Sequence, residues 1–235
     1  MQWVDLGVLV ADSSTASPHF MLRLYDYYSS YIANGMIMSC CAFIDANWLE
    51  VRALSKSAPT KSDAKLWPYY MRNINGAAAF YAYACFPKRD HPNIVDYVQA
   101  IPEITMNTNF INDVLSFYKE EMDGEEHTYC RTMSRVTGEP PIKVLQDVAD
   151  EAVAVAKRAA AILKDVPAAL KTLKEYEQGN IRFYLDEAHY RLPADWKAQF
   201  AQNLVQHRDA LTQSIRIREE YVDCVPCNIC HDGIL

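Results

Sequence analysis

The sequence predicts an all-α protein, and three observations support this fold class. Only seven glycines occur in 235 residues, and no two segments of alternating polarity flank a short turn as they would in a β-hairpin. Apolar residues recur at helical spacing over most of the chain. Prolines and aspartates stand between these segments, where helices begin. Because half of the residues are hydrophobic, the chain can bury a core as a single helical bundle.

Seven helices are expected, with approximate bounds of 19–33, 36–53, 62–85, 92–121, 141–163, 166–190 and 194–219. Four of them follow stretches rich in helix-starting residues: SAPTKSD, PKRDHP, TGEPP and RLPADW. Segment 35–51 is hydrophobic on nearly every face, which predicts a central, buried helix. The fifth helix is Ala-rich with charges toward one side, and we expect it on the outside of the bundle. Segment 122–140 is polar and is expected to be a mobile loop.

Composition excludes several classes of function. The formal net charge is −7, and no cluster of Lys and Arg offers a surface for nucleic acid. Segment 35–51 is interrupted by Asp45, Asn47 and Glu50, so we expect no membrane span. The N-terminus lacks the basic start and apolar core of a signal peptide. The chain has seven cysteines, which is an odd number, and four of them lie in or beside helical segments and not at the spacings of a disulfide framework. We therefore expect reduced thiols and a cytoplasmic location.

A polar line interrupts the apolar stretch NDVLSFYKE, residues 112 to 120. Asn112, Ser116 and Glu120 are four residues apart, so on a helix they spread over only about 80° and climb roughly 12 Å along one face. Because the flanking residues are apolar enough to bury this helix, the line can face a cavity. Amide, hydroxyl and carboxylate oxygens are hard ligands that suit Mg²⁺. The alternative is the exposed stripe of an amphipathic helix.

The full pattern N-D-x-x-S-x-x-K-E resembles the second metal-binding motif of class I terpene cyclases. The string NDVLSFYKE is similar to that of the fungal trichodiene synthase family in particular. The resemblance implies a single helical bundle of the class I terpene synthase type. It also implies that Asn112, Ser116 and Glu120 bind one of three Mg²⁺ ions that hold the diphosphate of a prenyl substrate, and that Lys119 reaches this diphosphate.

Two further segments resemble diphosphate-binding parts of the same family. YYMRNINGAAA resembles the segment whose Arg senses the diphosphate just before a helix break, which assigns that role to Arg72. RFYLDEAHYRL resembles the place of an Arg-Tyr pair that closes over the diphosphate, so Tyr190 matches and His189 stands in place of the Arg. A neutral His is a weaker anion partner than Arg, and Arg191 or Arg182 would have to compensate. The alternative in both segments is an ordinary helix end with mixed charges.

The resemblance covers most of residues 19 to 192 and weakens toward both ends. The family's first motif is an Asp-rich run, whereas VLVADSSTASPHF offers Asp12 as its sole acid and has Ala11 in the leading position. Asp12 is therefore a candidate Mg²⁺ ligand, with a helix cap or loop residue as the alternative. Asp26 is a second candidate carboxylate. We expect an N-terminally incomplete domain over 1–221 that is poorly active or inactive by itself.

Aromatic residues could line the water-free pocket that a carbocation requires. The candidates are Phe43, Trp48, Phe80, Tyr81 and Phe110. Core packing is the alternative for each of them.

The C-terminal stretch DCVPCNICHDGIL contains Cys224, Cys227, Cys230 and His231. Its C-x-x-C-H string matches the c-type haem attachment pattern, and three thiolates with an imidazole could in principle bind zinc. We expect instead a flexible, reduced tail over 222–235, because the spacing is too crowded for a tetrahedral site.

The combined interpretation is a Mg²⁺-dependent terpene synthase that ionises and cyclises a prenyl diphosphate, most simply farnesyl diphosphate, to a sesquiterpene. One alternative is a non-catalytic homologue that retains only the second metal-binding motif. Another is a small metal-binding or redox protein built around the cysteine tail. The product and the oligomeric state, including a homodimer, are left open.

Overall fold

The computed structural model describes residues 18–54 and 60–192 and confirms the predicted all-α class, because these residues form helices and no strand. The eight α-helices are α1 Pro18–Tyr27, α2 Ser30–Leu49, α3 Trp67–Asn75, α4 Ala78–Ala84, α5 Ile101–Asp123, α6 Tyr129–Thr137, α7 Pro141–Ile162 and α8 Pro167–Asp186. A π-helical turn, Glu50–Leu54, extends α2. Short 3-10 turns are formed by Ile94–Asp96 and Val98–Ala100 before α5, and by Ala188–Tyr190 after α8.

Helix α5 links two hydrophobic cores. Its 23 residues extend about 34 Å at the rise of an α-helix. Ile104, near its start, belongs to a core with Ile32 of α2 and Phe86 after α4. Leu115, farther along, belongs to a second core with Leu145 of α7 and the end of α8. Burial of α5 on several sides fixes its orientation, and with it the direction of the polar line at residues 112 to 120.

The predicted break between helices 19–33 and 36–53 is wrong, because α2 continues through Gly35 and the chain bends earlier, between α1 and α2. A Cβ atom at Gly35 would lie 2.5 Å from Cζ of Tyr83 on α4. The glycine therefore permits close packing of two helices and does not end one.

The predicted helices 62–85 and 92–121 are both shorter than expected. The first is divided into α3 and α4 at the Asn-Gly sequence, where Ala77 adopts a left-handed conformation with φ 49°. The second begins only at α5, whose first turn contains a proline. Pro102 has no N–H to donate and therefore fits the first turn of a helix, where that group would have no partner. The residues before it form the two 3-10 turns.

The prediction of a loop over 122–140 is wrong, because this segment contains helix α6. The Thr128 hydroxyl caps the helix by accepting a hydrogen bond from the backbone N–H of Arg131, 3.3 Å away. The Arg131 guanidinium in turn pairs with Glu121, with an Nε–Oε1 distance of 2.7 Å. Val136 is buried against the second core's helices. This polar segment therefore contains an amphipathic helix, which is stabilised by the Thr128 cap and by ion pairs of Arg131 and Arg135.

Helix α2 is not buried on every side, contrary to prediction. Ile32 and Met36 are buried, but Met38 is 71% exposed and Trp48 is 64% exposed. The helices of the described part of the chain pack on one face of α2 only. By length and composition alone, Ser30–Arg52 is long and apolar enough to cross a membrane. This is weak evidence, because buried core helices meet the same criterion.

All four cysteines within the described ranges, Cys40, Cys41, Cys85 and Cys130, are unpaired. The predicted helix 194–219, the tail 222–235 and the candidate ligand Asp12 lie outside the described residues.

Candidate functional site

The three candidate metal ligands lie along α5 and are joined by hydrogen bonds. The Ser116 hydroxyl is 2.5 Å from Oε1 of Glu120 and 2.7 Å from the carbonyl oxygen of Asn112. The Asn112 amide nitrogen donates to the Tyr184 hydroxyl of α8, 3.0 Å away. Ser116 is buried, and Asn112 and Glu120 are half-buried. The line is therefore not an exposed amphipathic stripe.

Arg72, in the last turn of α3, reaches across to α5. Its Nη2 atom donates to the carbonyl oxygen of Asn109 at 3.0 Å and to Oδ1 of Asn112 at 2.5 Å. Its Nε atom lies 2.6 Å from Oδ1 of Asp113. Only 9% of Arg72 is exposed, so the guanidinium points into the protein toward the candidate ligands. The Asp113 carboxylate offsets the cost of burying this charge.

Gly76 provides the space for this guanidinium. A Cβ atom at this position would lie 2.3 Å from Nη1 of Arg72 and 2.7 Å from Oδ1 of Asn109. Because both distances are far below van der Waals contact, any side chain at residue 76 would displace one of these groups. The Asn-Gly break thus ends α3 and also leaves room for Arg72.

Two buried carboxyl groups at the site have raised pKa values. Burial raises the pKa of Glu120 to about 7, against the opposing effect of the hydrogen bond from Ser116. Burial also raises the pKa of Asp113 to about 6, although Arg72 favours its charged form. A cation bound beside Glu120 would stabilise the carboxylate and lower this pKa.

Tyr190 approaches the same site from the turn after α8. Its ring lies edge-on to that of Tyr184, with centroids 4.7 Å apart, and Tyr184 is bonded to Asn112. Burial raises the pKa of Tyr190, and the nearby negative charge of Glu120 raises it further. His189 is exposed, with its ring centroid 5.3 Å from that of Tyr190.

Lys119 and Arg191 converge on a single carboxylate at the end of α5. Lys119 Nζ lies 3.9 Å from Oδ2 of Asp123, and Arg191 Nη1 lies 2.9 Å from Oδ1 of the same residue. Lys119 also pairs with Glu125. Arg182, the other candidate to compensate for His189, is exposed and pairs with Asp186. The structure therefore brings Arg191, and not Arg182, to the Lys119 end of α5.

A cavity of about 840 Å³ opens between α1, α2, α4 and α8. Phe80, Tyr81 and Tyr176 contribute aromatic groups to its wall. The Tyr176 hydroxyl lies 2.7 Å from that of Thr108, which is one helical turn before Asn112 on α5. Thr108 therefore connects the cavity wall to α5, whereas Asn112, Ser116 and Glu120 are not among the residues that line the cavity.

Not every predicted pocket residue lines this cavity. Phe80 and Tyr81 do so, whereas Phe110 is buried in the second core and contacts the ring of Tyr69 with centroids 6.2 Å apart. Trp48 is mostly exposed. Phe43 packs against the first core, and Asp26 is exposed, so the suggestion that Asp26 turns inward is wrong.

The donor set of Asn112, Ser116 and Glu120 fits Mg²⁺. All three supply hard oxygen atoms, and a single carboxylate leaves coordination positions for water and for phosphate oxygens. Within residues 18–54 and 60–192, no group of three or more His, Cys, Asp or Glu side chains is placed to hold a metal ion, so Asn112 and Ser116 would have to supply two of the protein ligands.

Three residues of this site were missed by the sequence analysis: Asp113, Tyr184 and Gly76. Asp113 is part of the motif NDVLSFYKE, but its ion-pair partner, Arg72, is 41 residues earlier in the chain. Nothing in the sequence distinguishes Tyr184 from the other aromatic residues of α8. Gly76 was recognised as a helix break, and the close approach of Arg72 was not foreseeable from the sequence.

The all-helical fold, in which three oxygen donors of α5 lie beside the buried Arg72, is that of a terpene synthase-like protein. The sequence pattern of the trichodiene synthase (TRI5) family matches residues 15–217, and the chain belongs to this family. The predicted family is thereby confirmed.

Curated relatives agree with this assignment. Terpene synthase BipA of Cochliobolus sativus is 31% identical over 168 residues, which cover 71% of this chain and 52% of the relative. Alpha-cuprenene synthase COP6 of Coprinopsis cinerea is 32% identical over 165 residues, with coverages of 70% and 50%. Trichodiene synthase of Fusarium boothii is 23% identical over 177 residues, with coverages of 73% and 46%. The chain thus spans about half the length of the curated relatives it matches.

Proposed function

We propose that this chain acts in a Mg²⁺-dependent terpene synthase that ionises and cyclises a prenyl diphosphate, with farnesyl diphosphate as the expected substrate. The observation that carries the proposal is the convergence of Asn112, Ser116 and Glu120 of α5 with the buried Arg72 of α3. Family membership supports the class of reaction.

In this proposal the residues divide the task of holding the diphosphate. Asn112, Ser116 and Glu120 would hold Mg²⁺, which supplies positive charge to the leaving group. Arg72 and Lys119 would donate charge-assisted hydrogen bonds to diphosphate oxygens, and Tyr190 would add a hydroxyl donor. Such preplaced donors stabilise the negative charge that develops as the C–O bond breaks.

The cavity would enclose the hydrocarbon chain. Its volume of about 840 Å³ lies within the range of roughly 300 to 1,000 Å³ found for small-molecule sites. Aromatic faces such as those of Phe80 and Tyr81 attract positive charge, and exclusion of water prevents premature capture of a carbocation.

The test is incubation of the purified chain with farnesyl and geranyl diphosphates in millimolar Mg²⁺, scored for pyrophosphate release and for volatile products. Glu120→Gln should abolish release because it removes the sole carboxylate of the ligand set. Glu126→Gln is the matched control, since Glu126 is exposed and pairs only with Arg131 and Arg135. Equal loss in both variants would contradict the assignment of Glu120.

A non-catalytic binding protein is the second candidate, and it is favoured by the sequence VLVADSSTASPHF, which offers a single acid where the family's first motif is Asp-rich. In that case pyrophosphate and Mg²⁺ together would bind in a Glu120-dependent manner, but no substrate would be turned over. Calorimetry with pyrophosphate, run beside the activity assay, separates the two functions.

A further inference from the structure

The charged side chains that line the cavity are gathered at one end of it, where the loop after α4 meets the first half of α8. Asp90, Lys171 and Glu175 are exposed and form the rim of this end. Two polar side chains lie behind the rim: His91, which is 8% exposed, and Thr172, which is half-buried. They provide hydrogen-bonding groups inside a cavity whose other walls are largely apolar and aromatic.

This polar end lies far from the candidate metal ligands. Tyr184, which bonds to Asn112, is 12 residues after Thr172 on the same helix. At the rise of an α-helix, these two positions are about 18 Å apart. A prenyl diphosphate whose phosphates lie beside Asn112 would therefore direct the opposite end of its hydrocarbon chain toward Thr172.

Thr172 can bond to a ligand and to His91 at the same time. Its Oγ1 atom lies 3.0 Å from Nε2 of His91. Burial lowers the pKa of His91, which favours the neutral imidazole, and Nε2 of this form can accept the Thr172 proton. Because a hydroxyl has one proton and two lone pairs, Oγ1 then remains an acceptor for a donor in the cavity.

The orientation of the His91 ring is fixed by packing. The ring lies edge-on to that of Phe86, with centroids 5.2 Å apart, and edge-on to that of Tyr97 at 6.0 Å. A polar pair in the wall of a pocket for hydrocarbon alone would only weaken the enclosure of its ligand, since polar groups lose hydration there. The pair is therefore better suited to a ligand that carries a hydroxyl group at this end.

We infer that the His91–Thr172 pair binds a hydroxyl group at the far end of the cavity, first that of a water molecule and then that of the product, so that the reaction ends in a terpene alcohol. The inference rests on the proposed function and specifies its class of product. Thr172 would contact the reacting water, and His91 would act through Thr172.

The step requires water as its co-reactant and no other. The water oxygen forms a C–O bond to the cationic carbon, and one O–H bond of the water breaks. Its proton passes to Oγ1 of Thr172 as the Thr172 hydroxyl passes its own proton to Nε2 of His91. The negative charge of Asp90 favours the resulting imidazolium, which then releases the proton to solvent. Since this end lies far from the diphosphate, water here meets positive charge only after it has moved along the chain.

The test is a binding measurement that needs no turnover. Borneol and bornane, an alcohol and its parent hydrocarbon, displace the neutral dye N-phenyl-1-naphthylamine from the purified chain, and the loss of dye fluorescence gives both affinities. Thr172→Val keeps the shape of the side chain and removes its hydroxyl. We expect the affinity for borneol to fall about fivefold, as for the loss of one hydrogen bond between neutral groups, and that for bornane to stay unchanged.

Two further variants make the test specific. Thr172→Ser restores the hydroxyl and should bind borneol as the parent does. Thr105→Val is the matched control, since the Thr105 hydroxyl donates to the Ile101 carbonyl at 2.8 Å within α5 and does not line the cavity. Thr172→Ala replaces Thr172→Val should that variant fail to fold, and it should lower the ratio of borneol to bornane affinity. An unchanged ratio would overturn the inference.

Turnover supplies an independent readout. With farnesyl diphosphate and Mg²⁺ in water labelled with oxygen-18, the parent should release labelled alcohols, and Thr172→Val should release a higher share of unlabelled alkenes. Products without label from the parent would overturn the inference alone. Absence of Glu120-dependent pyrophosphate binding overturns the proposed function and the water addition together, whatever the affinities for borneol and bornane.

Discussion

Substitution of Gly76 by alanine tests whether the position of Arg72 controls the site. The added Cβ would lie 2.3 Å from Nη1 of Arg72, whereas ordinary contacts begin at 3.4 Å, so the guanidinium must shift by about 1 Å. The φ and ψ angles of Gly76, −93° and −4°, are accessible to alanine. The effect is therefore steric and not a matter of backbone strain.

The magnitude follows from two opposing contributions. Overpacking of a well-filled site costs about 1 to 3 kcal/mol, and alanine returns about 0.4 to 1 kcal/mol by restricting the unfolded chain. We expect Gly76→Ala to lower the free energy of unfolding by roughly 0.5 to 2 kcal/mol. Pyrophosphate affinity should fall about tenfold, because the displaced guanidinium loses the alignment of a charge-assisted hydrogen bond.

Urea unfolding measures the first quantity and calorimetry with pyrophosphate and Mg²⁺ measures the second. Ala77→Gly is the matched control at the same helix break: glycine relieves the left-handed conformation of Ala77 and leaves Arg72 untouched. It should keep pyrophosphate binding unchanged. If Gly76→Ala binds pyrophosphate as tightly as the parent and is equally stable, the assigned position of Arg72 is wrong.

Three further predictions concern charged groups. Glu120→Gln should abolish Mg²⁺-dependent pyrophosphate binding in calorimetry, and binding equal to that of the parent would mean that the metal site is misassigned. Arg191→Met should weaken pyrophosphate binding about tenfold with little change in stability, because its ion pair with Asp123 is half-exposed; Arg182→Met, which removes an exposed pair, is the control that should leave binding unchanged. Burial raises the pKa of Glu177 to about 7, so between pH 4.5 and 7 the unfolded chain binds fewer protons than the folded one and stability falls as pH rises. Glu120 and Asp113, whose pKa values are also raised, contribute to the same fall. Glu177→Gln should therefore reduce the loss of stability between pH 5 and pH 8 by up to about 3 kcal/mol, as followed by urea unfolding; a variant whose loss equals that of the parent would contradict it.

The local chemistry of the chain was readable from its sequence because it depends on short-range pattern. Helical periodicity predicted the all-α class, and the spacing of Asn112, Ser116 and Glu120 placed three oxygen donors on one face of α5. Each of these features spans fewer than ten residues, within which backbone geometry alone fixes the relative positions of side chains.

Features that depend on long-range packing were decided only by the tertiary structure. From the sequence, Gly35 was predicted to separate two helices. In the structure it lies within α2, where the absence of a side chain lets the ring of Tyr83 on α4 approach closely. Segment 122–140 reads as a loop, but the ion pair of Arg131 with Glu121 fixes a helix there. In both cases the residue that determines the local structure lies on another helix, so local helix propensity does not predict it.

The arrangement of the candidate site also depends on long-range packing. The family resemblance assigned Arg72 to the diphosphate and Asn112 to the metal, and the sequence places the two residues 40 positions apart. Packing of α3 against α5 brings them within hydrogen-bonding distance, and the buried Asp113 retains the guanidinium there. A buried charge takes whatever compensating partners the fold places beside it, so the hydrogen bond between Arg72 and Asn112 is a property of the tertiary structure alone.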